Sequence, residues 1–183
     1  CDGFFYRGQE VIVVGGGDTA AEEATFLAKL CKKVTLLVRR DVMRASKAMQ
    51  HRVSHTENLE VLYHTELDEV LGDNVVEGVR VVNNQTGEKK EIAVTGVFIA
   101  IGHKPNTELF KGILEMDETG YLVTKGKSTK TGKPGIFAAG DVQDKEYRQA
   151  VTAAGTGCMA ALDAERYLAA KNSAFEVSTS TYN

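Results

Sequence analysis

The stretch Val11-Ile12-Val13-Val14-Gly15-Gly16-Gly17-Asp18-Thr19-Ala20 decides the fold of this chain. Its four β-branched residues predict a strand that runs directly into a glycine-rich turn. Residues 22–30 follow with apolar side chains at helical spacing and predict an amphipathic helix. A strand, a tight turn and a helix at this spacing begin a dinucleotide-binding βαβ unit. We therefore expect a pyrophosphate to lie at the helix N-terminus, held by Gly15, Gly16, Gly17, Asp18, Thr19 and Ala20.

The residues of this turn have separate expected tasks. Gly15 allows the chain to turn, and Gly17 lets the backbone approach phosphate oxygens. Ala20 is small enough for the helix and the strand to pack closely. Asp18 brings a negative charge near the pyrophosphate, which is unfavourable unless its carboxylate caps the helix.

Three arginines follow the second apolar run. Val34-Thr35-Leu36-Leu37-Val38 predicts a strand, which ends in Arg39 and Arg40, with Arg44 four residues later. In a βαβ unit the residue at this position contacts the adenosine ribose, and an acidic residue there would accept a hydrogen bond from the 2′-hydroxyl. Guanidinium groups instead suit a 2′-phosphate, which they bind through charge-assisted hydrogen bonds. The sequence therefore predicts binding of NADPH rather than NADH.

The composition is that of a globular protein of one or two domains. The chain has 183 residues, of which 43% are hydrophobic and 26% charged. Its net charge of −3 argues against general affinity for nucleic acid, and no apolar run approaches the ~20 residues of a membrane helix. The cysteines, Cys1, Cys31 and Cys158, are too widely spaced for a disulfide framework or a metal site, and they suit a cytoplasmic protein. Cys31 and Cys158 lie in helical patterns, so we expect both to be buried.

The pattern of apolar residues predicts two modules and a tail. Residues 1–98 should form the nucleotide-binding domain, residues 99–171 the second module, and residues 172–183 a flexible polar tail. Further strands and helices are predicted in both modules. The first should contain a helix at 44–53, a strand at 59–63, an antiparallel meander at 66–71, 75–82 and 91–94, and a closing strand at 97–101. The second should contain strands at 122–123 and 136–139 and a long helix at 147–170.

Several motifs together resemble the low-molecular-weight, bacterial-type thioredoxin reductases. The chain opens on Cys-Asp-Gly-Phe-Phe-Tyr and continues with the glycine-rich turn and the Arg-Arg-x-x-x-Arg motif. Ala-Ile-Gly-His-x-Pro-Asn at 100–106 and Phe-Ala-Ala-Gly-Asp-Val at 137–142 extend the resemblance, as do Tyr-Arg-Gln-Ala at 147–150 and Gly-Thr-Gly-Cys at 155–158. The match covers residues 1 to about 168, and its specificity comes from the combination of motifs.

The resemblance implies a fold, cofactors and a partner. It implies a Rossmann-like α/β domain with a parallel sheet and an antiparallel meander, followed by the C-terminal half of a similar FAD-binding domain. Electrons would pass from NADPH to FAD, then to a Cys-x-x-Cys disulfide and on to thioredoxin, in an enzyme that is usually a homodimer. The FAD-binding N-terminal segment and the first cysteine would lie upstream, so we expect this chain to be the C-terminal part of a longer flavoenzyme.

The resemblance also implies roles for individual residues. Cys1 would be the second cysteine of the redox disulfide, and Asp2 the acid that protonates the leaving thiolate. Gly140 and Asp141 would contact the ribityl chain of the flavin. The pyrimidine edge of the flavin would face the start of a helix formed by Arg148, Gln149 and Ala150.

Two alternatives remain open at this point. One is a related flavoenzyme with another acceptor, either a peroxiredoxin reductase, expected to lack the arginines, or a ferredoxin–NADP reductase, expected to lack Cys-Asp-Gly. The other is a non-catalytic nucleotide-binding module, because the chain alone carries a nucleotide site but only half a flavin site and one of the two redox cysteines.

Overall fold

The computed structural model describes the backbone of residues 2–180 and the side chains of residues 2–172. The chain divides into two compact units, Cys1–Gly102 and His103–Asn183. The division falls after Gly102, shortly beyond the boundary at residue 98 that the sequence predicted. Among the described residues, no helix combines the length and the apolar character needed to cross a membrane.

The first unit alternates strands and helices and then adds a meander. A short 3-10 helix at Asp2–Tyr6 opens it. In chain order there follow β1 Glu10–Val14, α1 Asp18–Ala28, β2 Lys33–Val38, α2 Lys47–Ser54, β3 Leu59–Tyr63, β4 Thr65–Leu71, β5 Gly78–Asn83, β6 Lys89–Ala93 and β7 Gly96–Ile99. The predicted α/β fold with its parallel sheet and antiparallel meander is confirmed.

A four-stranded parallel sheet with the order β3-β2-β1-β7 forms the centre of this unit. Side chains alternate across β1, so Val11 and Val13 pack against α1 and α2, whereas Ile12 packs on the other face with the meander. Both faces are therefore buried, which is why the strands have nearly continuous apolar sequences. The meander, with the order β4-β5-β6, contributes Val79 and Val81 to the second face.

Helix α2 begins later than the sequence predicted. Its first residue is Lys47 rather than Arg44, and the Ser46 hydroxyl caps it by accepting a hydrogen bond from the main-chain N–H of Met49. The main-chain N–H groups of Arg44 and Ala45 donate instead to the carbonyl oxygen of Gly16, at 2.7 and 3.1 Å. These contacts hold the preceding residues in a non-helical loop against the glycine-rich turn.

The second unit contains little regular structure before its long helix. One-turn 3-10 helices lie at Glu108–Phe110 and Gly140–Val142. The strands predicted at 122–123 and 136–139 are absent from the part of the chain that the structure describes, where isolated bridges pair Met116 with Leu122 and Lys130 with Phe137. A single bridge has no neighbouring strand to extend into a ladder, so these segments remain irregular although Leu122 and Ala138 are buried.

Helix α3, Ala150–Ser180, differs from its prediction at both ends. It begins at Ala150 rather than at residue 147, and it continues to Ser180, past the start of the predicted tail. No proline or glycine follows Gly157 to interrupt it, which accounts for the longer helix. The prediction that Cys158 is buried is wrong, because this thiol is exposed, whereas Cys31 is buried as expected. Val151 is 82% exposed, so one apolar face of α3 has no cover within this unit.

Candidate functional site

A cleft of about 580 Å³ lies at the carboxyl ends of the parallel strands. Ligands of open α/β sheets bind at this edge of the sheet. The glycine-rich turn forms one wall, and the loop after β2 forms another. The cleft is lined by Val14, Gly15, Gly16, Gly17, Thr19, Leu37, Val38, Arg39, Arg40, Val42, Arg44, Thr65, Glu66, Leu67, Ala100, Ile101 and Gly102.

Gly15 occupies a position that excludes a side chain. Its φ angle is +152°, and a Cβ atom there would overlap the carbonyl oxygen of Ala100 and lie 2.8 Å from the Cβ of Ala20. Ala20 is fully buried at the same point, so the first turn of α1 packs directly on the end of the sheet. The close approach of β7, the turn and α1 therefore requires glycine at position 15.

Gly17 marks the start of helix α1 and leaves it open to a ligand. No side-chain hydrogen bond caps the helix at this residue. A Cβ atom at Gly17 would meet no atom within 4 Å, so the space beside its backbone is free. The N-terminus of an uncapped helix presents main-chain N–H groups and a positive partial charge, which together suit a phosphate.

The Asp18 carboxylate does not cap α1. Its Oδ1 atom accepts a hydrogen bond from the main-chain N–H of Ser46 at 2.9 Å, which connects the first turn of α1 to the start of α2. The Ser46 N–H, followed by the Ser46 hydroxyl, lowers the pKa of Asp18 below its usual value. Neither Asp18 nor Ala20 lines the cleft, so their assignment as nucleotide contacts stays a prediction.

Arg39, Arg40 and Arg44 are brought together on the wall of the cleft, and all three are exposed. Among the described residues, none of the three takes part in an ion pair. The acid that lines the cleft is Glu66, and its carboxylate accepts a hydrogen bond from the amide of Asn84 at 2.8 Å. The guanidinium groups are therefore available to an anionic ligand.

Gly140 and Asp141 lie at a sharp turn in the second unit. The φ angle of Gly140 is +72°, and its main-chain N–H donates to the Thr156 hydroxyl of α3 at 2.9 Å. The Asp141 side chain is exposed and follows directly at the start of a single helical turn. This arrangement leaves a carboxylate free to accept hydrogen bonds from a hydroxylated ligand.

Arg148 and Gln149 precede α3 instead of forming its first turn. The Asp144 carboxylate accepts hydrogen bonds from the main-chain N–H groups of Tyr147 and Arg148 at 2.9 and 3.1 Å, and these bonds lower the pKa of Asp144. Arg148 has a φ angle of +49°, which is not a right-handed helical conformation, and α3 begins two residues later at Ala150. The Gln149 N–H donates to the Thr152 hydroxyl. The main-chain donors of Arg148 and Gln149, which the sequence assigned to a flavin, therefore have partners within the chain.

The two candidate catalytic residues lie at the start of the chain. Cys1 lies outside the described residues. Asp2 is exposed and begins the 3-10 helix that precedes β1. No three His, Cys, Asp or Glu side chains converge as metal ligands within the portion of the chain that the structure describes.

Some residues of the site carry no signal in the sequence. Thr65, Glu66 and Leu67 line the cleft because β4 passes beside β2, and no local motif marks them. Asp144 could have been found, because an aspartate side chain frequently accepts hydrogen bonds from main-chain N–H groups two to four residues later in the chain.

The parallel sheet, the uncapped helix and the basic cleft are the features of a Rossmann-type, dinucleotide-binding fold. A family model described as pyridine nucleotide-disulphide oxidoreductase matches residues 1–157. The chain belongs to this family of oxidoreductases.

Individual relatives narrow the comparison. The chain is 55% identical over 170 residues to a thioredoxin reductase of Streptomyces clavuligerus, covering 93% of this chain and 53% of the relative. It is 56% identical over 170 residues to that of Dictyostelium discoideum, covering 92% and 53%. The structure of thioredoxin reductase from Streptococcus pyogenes superposes with a TM-score of 0.84 at 39% identity, covering 93% of this chain and 56% of that one. The chain thus spans about half the length of the curated relatives it matches.

Proposed function

We propose that this chain is the NADPH-binding half of a thioredoxin reductase. The observation that carries the proposal is the cleft that joins the glycine-rich turn to three arginines with no ion-pair partner among the described residues. The chain that carries this cleft has 55% sequence identity to a thioredoxin reductase over 170 residues. The uncapped start of α1 would hold the pyrophosphate. The guanidinium groups of Arg39, Arg40 and Arg44 would bind the 2′-phosphate that distinguishes NADPH from NADH.

The second unit would contribute half of a flavin site. Bound FAD would supply the two-electron relay between NADPH and a disulfide. The exposed Asp141 carboxylate suits a ribityl hydroxyl, and Gly140 has no side chain to obstruct a ligand at the turn beside it. Ala150 begins α3, whose N-terminal partial charge favours an anionic ring nearby. Arg148 and Gln149 would act by shaping the turn that precedes this helix.

The transfer of electrons from the flavin to a disulfide would depend on the first two residues of the chain. Cys1 would be the flavin-proximal cysteine of a Cys-x-x-Cys disulfide, and Asp2 would protonate the thiolate that leaves it. Two electrons and two protons would convert the S–S bond into two thiols, and the first cysteine of the pair, not Cys1, would then attack the disulfide of thioredoxin. We expect the full-length enzyme to be a homodimer and to be located in the cytoplasm. Asp2 is followed by Gly3 as in the reductases, which favours thioredoxin over the ferredoxin alternative.

A hybrid enzyme tests this proposal. The chain replaces the corresponding half of the Streptomyces clavuligerus thioredoxin reductase, to which it is 55% identical. We expect the hybrid to bind FAD and to reduce thioredoxin with NADPH. The chain alone should show no turnover, because its sequence contains no Cys-x-x-Cys pair.

The controls separate failure of folding from failure of the proposal. A hybrid with Cys1→Ser should keep its flavin absorbance and lose the reduction of thioredoxin. A folded, flavin-containing hybrid that oxidises NADPH but leaves thioredoxin unreduced would favour a related flavoenzyme with another acceptor.

A further inference from the structure

Two side-chain amides from distant elements hold the loop that carries the three arginines. The loop runs from Arg39 to Ser46, between β2 and α2, and its arginine side chains extend into solvent. Its main chain is held by Asn84, in the turn after β5, and by Gln50, on α2. Neither Asn84 nor Gln50 lines the cleft.

Asn84 fixes the beginning of the loop. Its Nδ2 atom donates to the carbonyl oxygen of Arg39 at 2.7 Å and to the Glu66 carboxylate at 2.8 Å. Its main-chain N–H donates to the carbonyl oxygen of His64 at 2.8 Å, and the His64 N–H donates to the carbonyl oxygen of Arg40 at 3.1 Å. The meander is thereby connected to the main chain of two consecutive arginines.

Gln50 fixes the end of the loop. Its Nε2 atom donates to the carbonyl oxygen of Ala45 at 2.7 Å and to that of Met43 at 3.2 Å. These two residues stand on either side of Arg44. The amide therefore holds the main chain on both sides of the third arginine.

We propose that Asn84 and Gln50 are positioning residues that set the preference of this site for NADPH over NADH. The inference rests on the proposed function, in which the arginines bind the 2′-phosphate. A long exposed side chain loses rotamer freedom when it binds, and this entropy cost grows if its main chain is also mobile. Holding the main chain in place reduces the cost of bringing three guanidinium groups to one phosphate.

Loosening this loop should affect only the contacts with the 2′-phosphate of the nucleotide. NADH presents a 2′-hydroxyl where NADPH presents a phosphate, so it gains little from the arginines. Loosening the loop should therefore weaken the binding of NADPH and leave that of NADH almost unchanged.

Nucleotide titration of the full chain tests the proposal with the variants Asn84→Ala, Gln50→Met and their combination. Substitution by Asp or Glu is unsuitable, because a new negative charge would itself repel the phosphate. We measure the dissociation constants of NADPH and NADH from nucleotide fluorescence. Each single variant should lower the NADPH preference about two- to tenfold, the range expected for the loss of hydrogen bonds of this kind.

Asn58→Ala is the matched control. The Asn58 amide donates to the carbonyl oxygens of Ala28 and Cys31 at 2.8 and 3.0 Å, so it is also a side chain that holds main chain. It lies at the amino ends of the strands, away from the cleft. This variant should lower the temperature of unfolding and leave the NADPH preference unchanged.

The outcomes separate this inference from the proposed function. If the unmutated chain binds both nucleotides equally, the assignment of the 2′-phosphate fails and the inference falls with it. If the unmutated chain prefers NADPH and the variants at Asn84 and Gln50 keep the same preference, only the positioning role is overturned. A loss of preference in the Asn58 variant as large as in the others would also overturn it.

Discussion

Gly15 and Gly17 stand two residues apart in the same turn and meet opposite surroundings. Gly15 is enclosed, because the Ala100 carbonyl and the Ala20 side chain leave no room for a Cβ atom and its φ angle is positive. Gly17 borders open space with an extended backbone at the start of α1. The first glycine serves the packing of the fold, whereas the second leaves access for a ligand.

The substitutions Gly15→Ala and Gly17→Ala should separate these two tasks. We expect Gly15→Ala to lower the free energy of unfolding by about 1–3 kcal/mol, because it combines backbone strain with a steric overlap. Gly17→Ala should cost less than about 1 kcal/mol of stability and still weaken NADPH binding. Thermal unfolding and nucleotide titration of both variants measure the difference. Equal losses of stability would contradict the assignment of separate tasks.

The arginines at the end of β2 should account for the choice of nucleotide. Each charge-assisted contact to a phosphate contributes about 1.5–3 kcal/mol. The double substitution of Arg39 and Arg40 by Ala should therefore remove most of the preference for NADPH, as measured by titration with both nucleotides. Arg52→Ala removes the same charge from an exposed position on α2 outside the cleft, and it should leave the preference intact.

Among the elements, the turn at Asp117 is held by one carboxylate as well as by main-chain hydrogen bonds such as that from the Asp117 N–H to the Tyr121 carbonyl oxygen, at 2.9 Å. Asp117 accepts hydrogen bonds from the hydroxyl and the main-chain N–H of Thr119, at 2.7 and 2.9 Å, and from the N–H of Tyr121 at 3.0 Å. The Thr119 hydroxyl and then these main-chain donors lower the pKa of Asp117 from 3.8 to about 2. The turn thus depends on a charged side chain next to the isolated bridge between Met116 and Leu122.

This lowered pKa predicts a pH dependence in the second unit. A carboxyl group whose pKa is lower in the folded state stabilises the fold above its ordinary pKa, and that contribution disappears as the pH falls. The contribution of Asp117 should therefore be complete above about pH 4 and lost as the pH approaches 2. We expect the Asp117→Asn variant to lose this pH dependence. When its acid unfolding is followed through amide exchange at Tyr121, it should show no loss of protection due to Asp117 between about pH 4 and pH 2. Asp73→Asn in the meander is the control and should retain this pH dependence.

Across the whole chain, the two units should differ in stability. The central strand β1 is paired on both sides, with β2 and β7, and Val11 to Val13 are almost completely buried. Residues 136–139 of the second unit take part in one isolated bridge, and the apolar face of α3 that includes Val151 is exposed. Buried strands with partners on both sides open only when much of the domain unfolds.

Hydrogen exchange of the full chain measures this difference. We expect strong protection of the amides in residues 11–14 and weak protection in residues 136–139. In the hybrid enzyme, the protection of residues 136–139 should rise if the remainder of the relative covers this surface. Equal protection of both segments in the chain alone would mean that the second unit is stable without further partners.

The sequence alone was sufficient where the determining residues are close together in the chain. The apolar run of β1, the glycine-rich turn and the arginines after β2 lie within residues 11–44, and their spacing reflects the fixed geometry of strand, turn and helix. The meander was predicted for the same reason, since its strands follow one another through short turns. The parallel sheet and the two walls of the cleft formed by the glycine-rich turn and the arginines could therefore be predicted from the sequence, whereas the part of the cleft formed by β4 could not.

Other features depended on contacts between residues that are distant in sequence. The bond from Asn84 to Arg39 spans 45 residues, and the bond from Ser46 to Asp18 spans 28. The exposure of Cys158 and the isolated bridges of the second unit depended on which surfaces find a packing partner. Apolar periodicity shows that a face can be buried, but only the tertiary structure decides whether another element covers it.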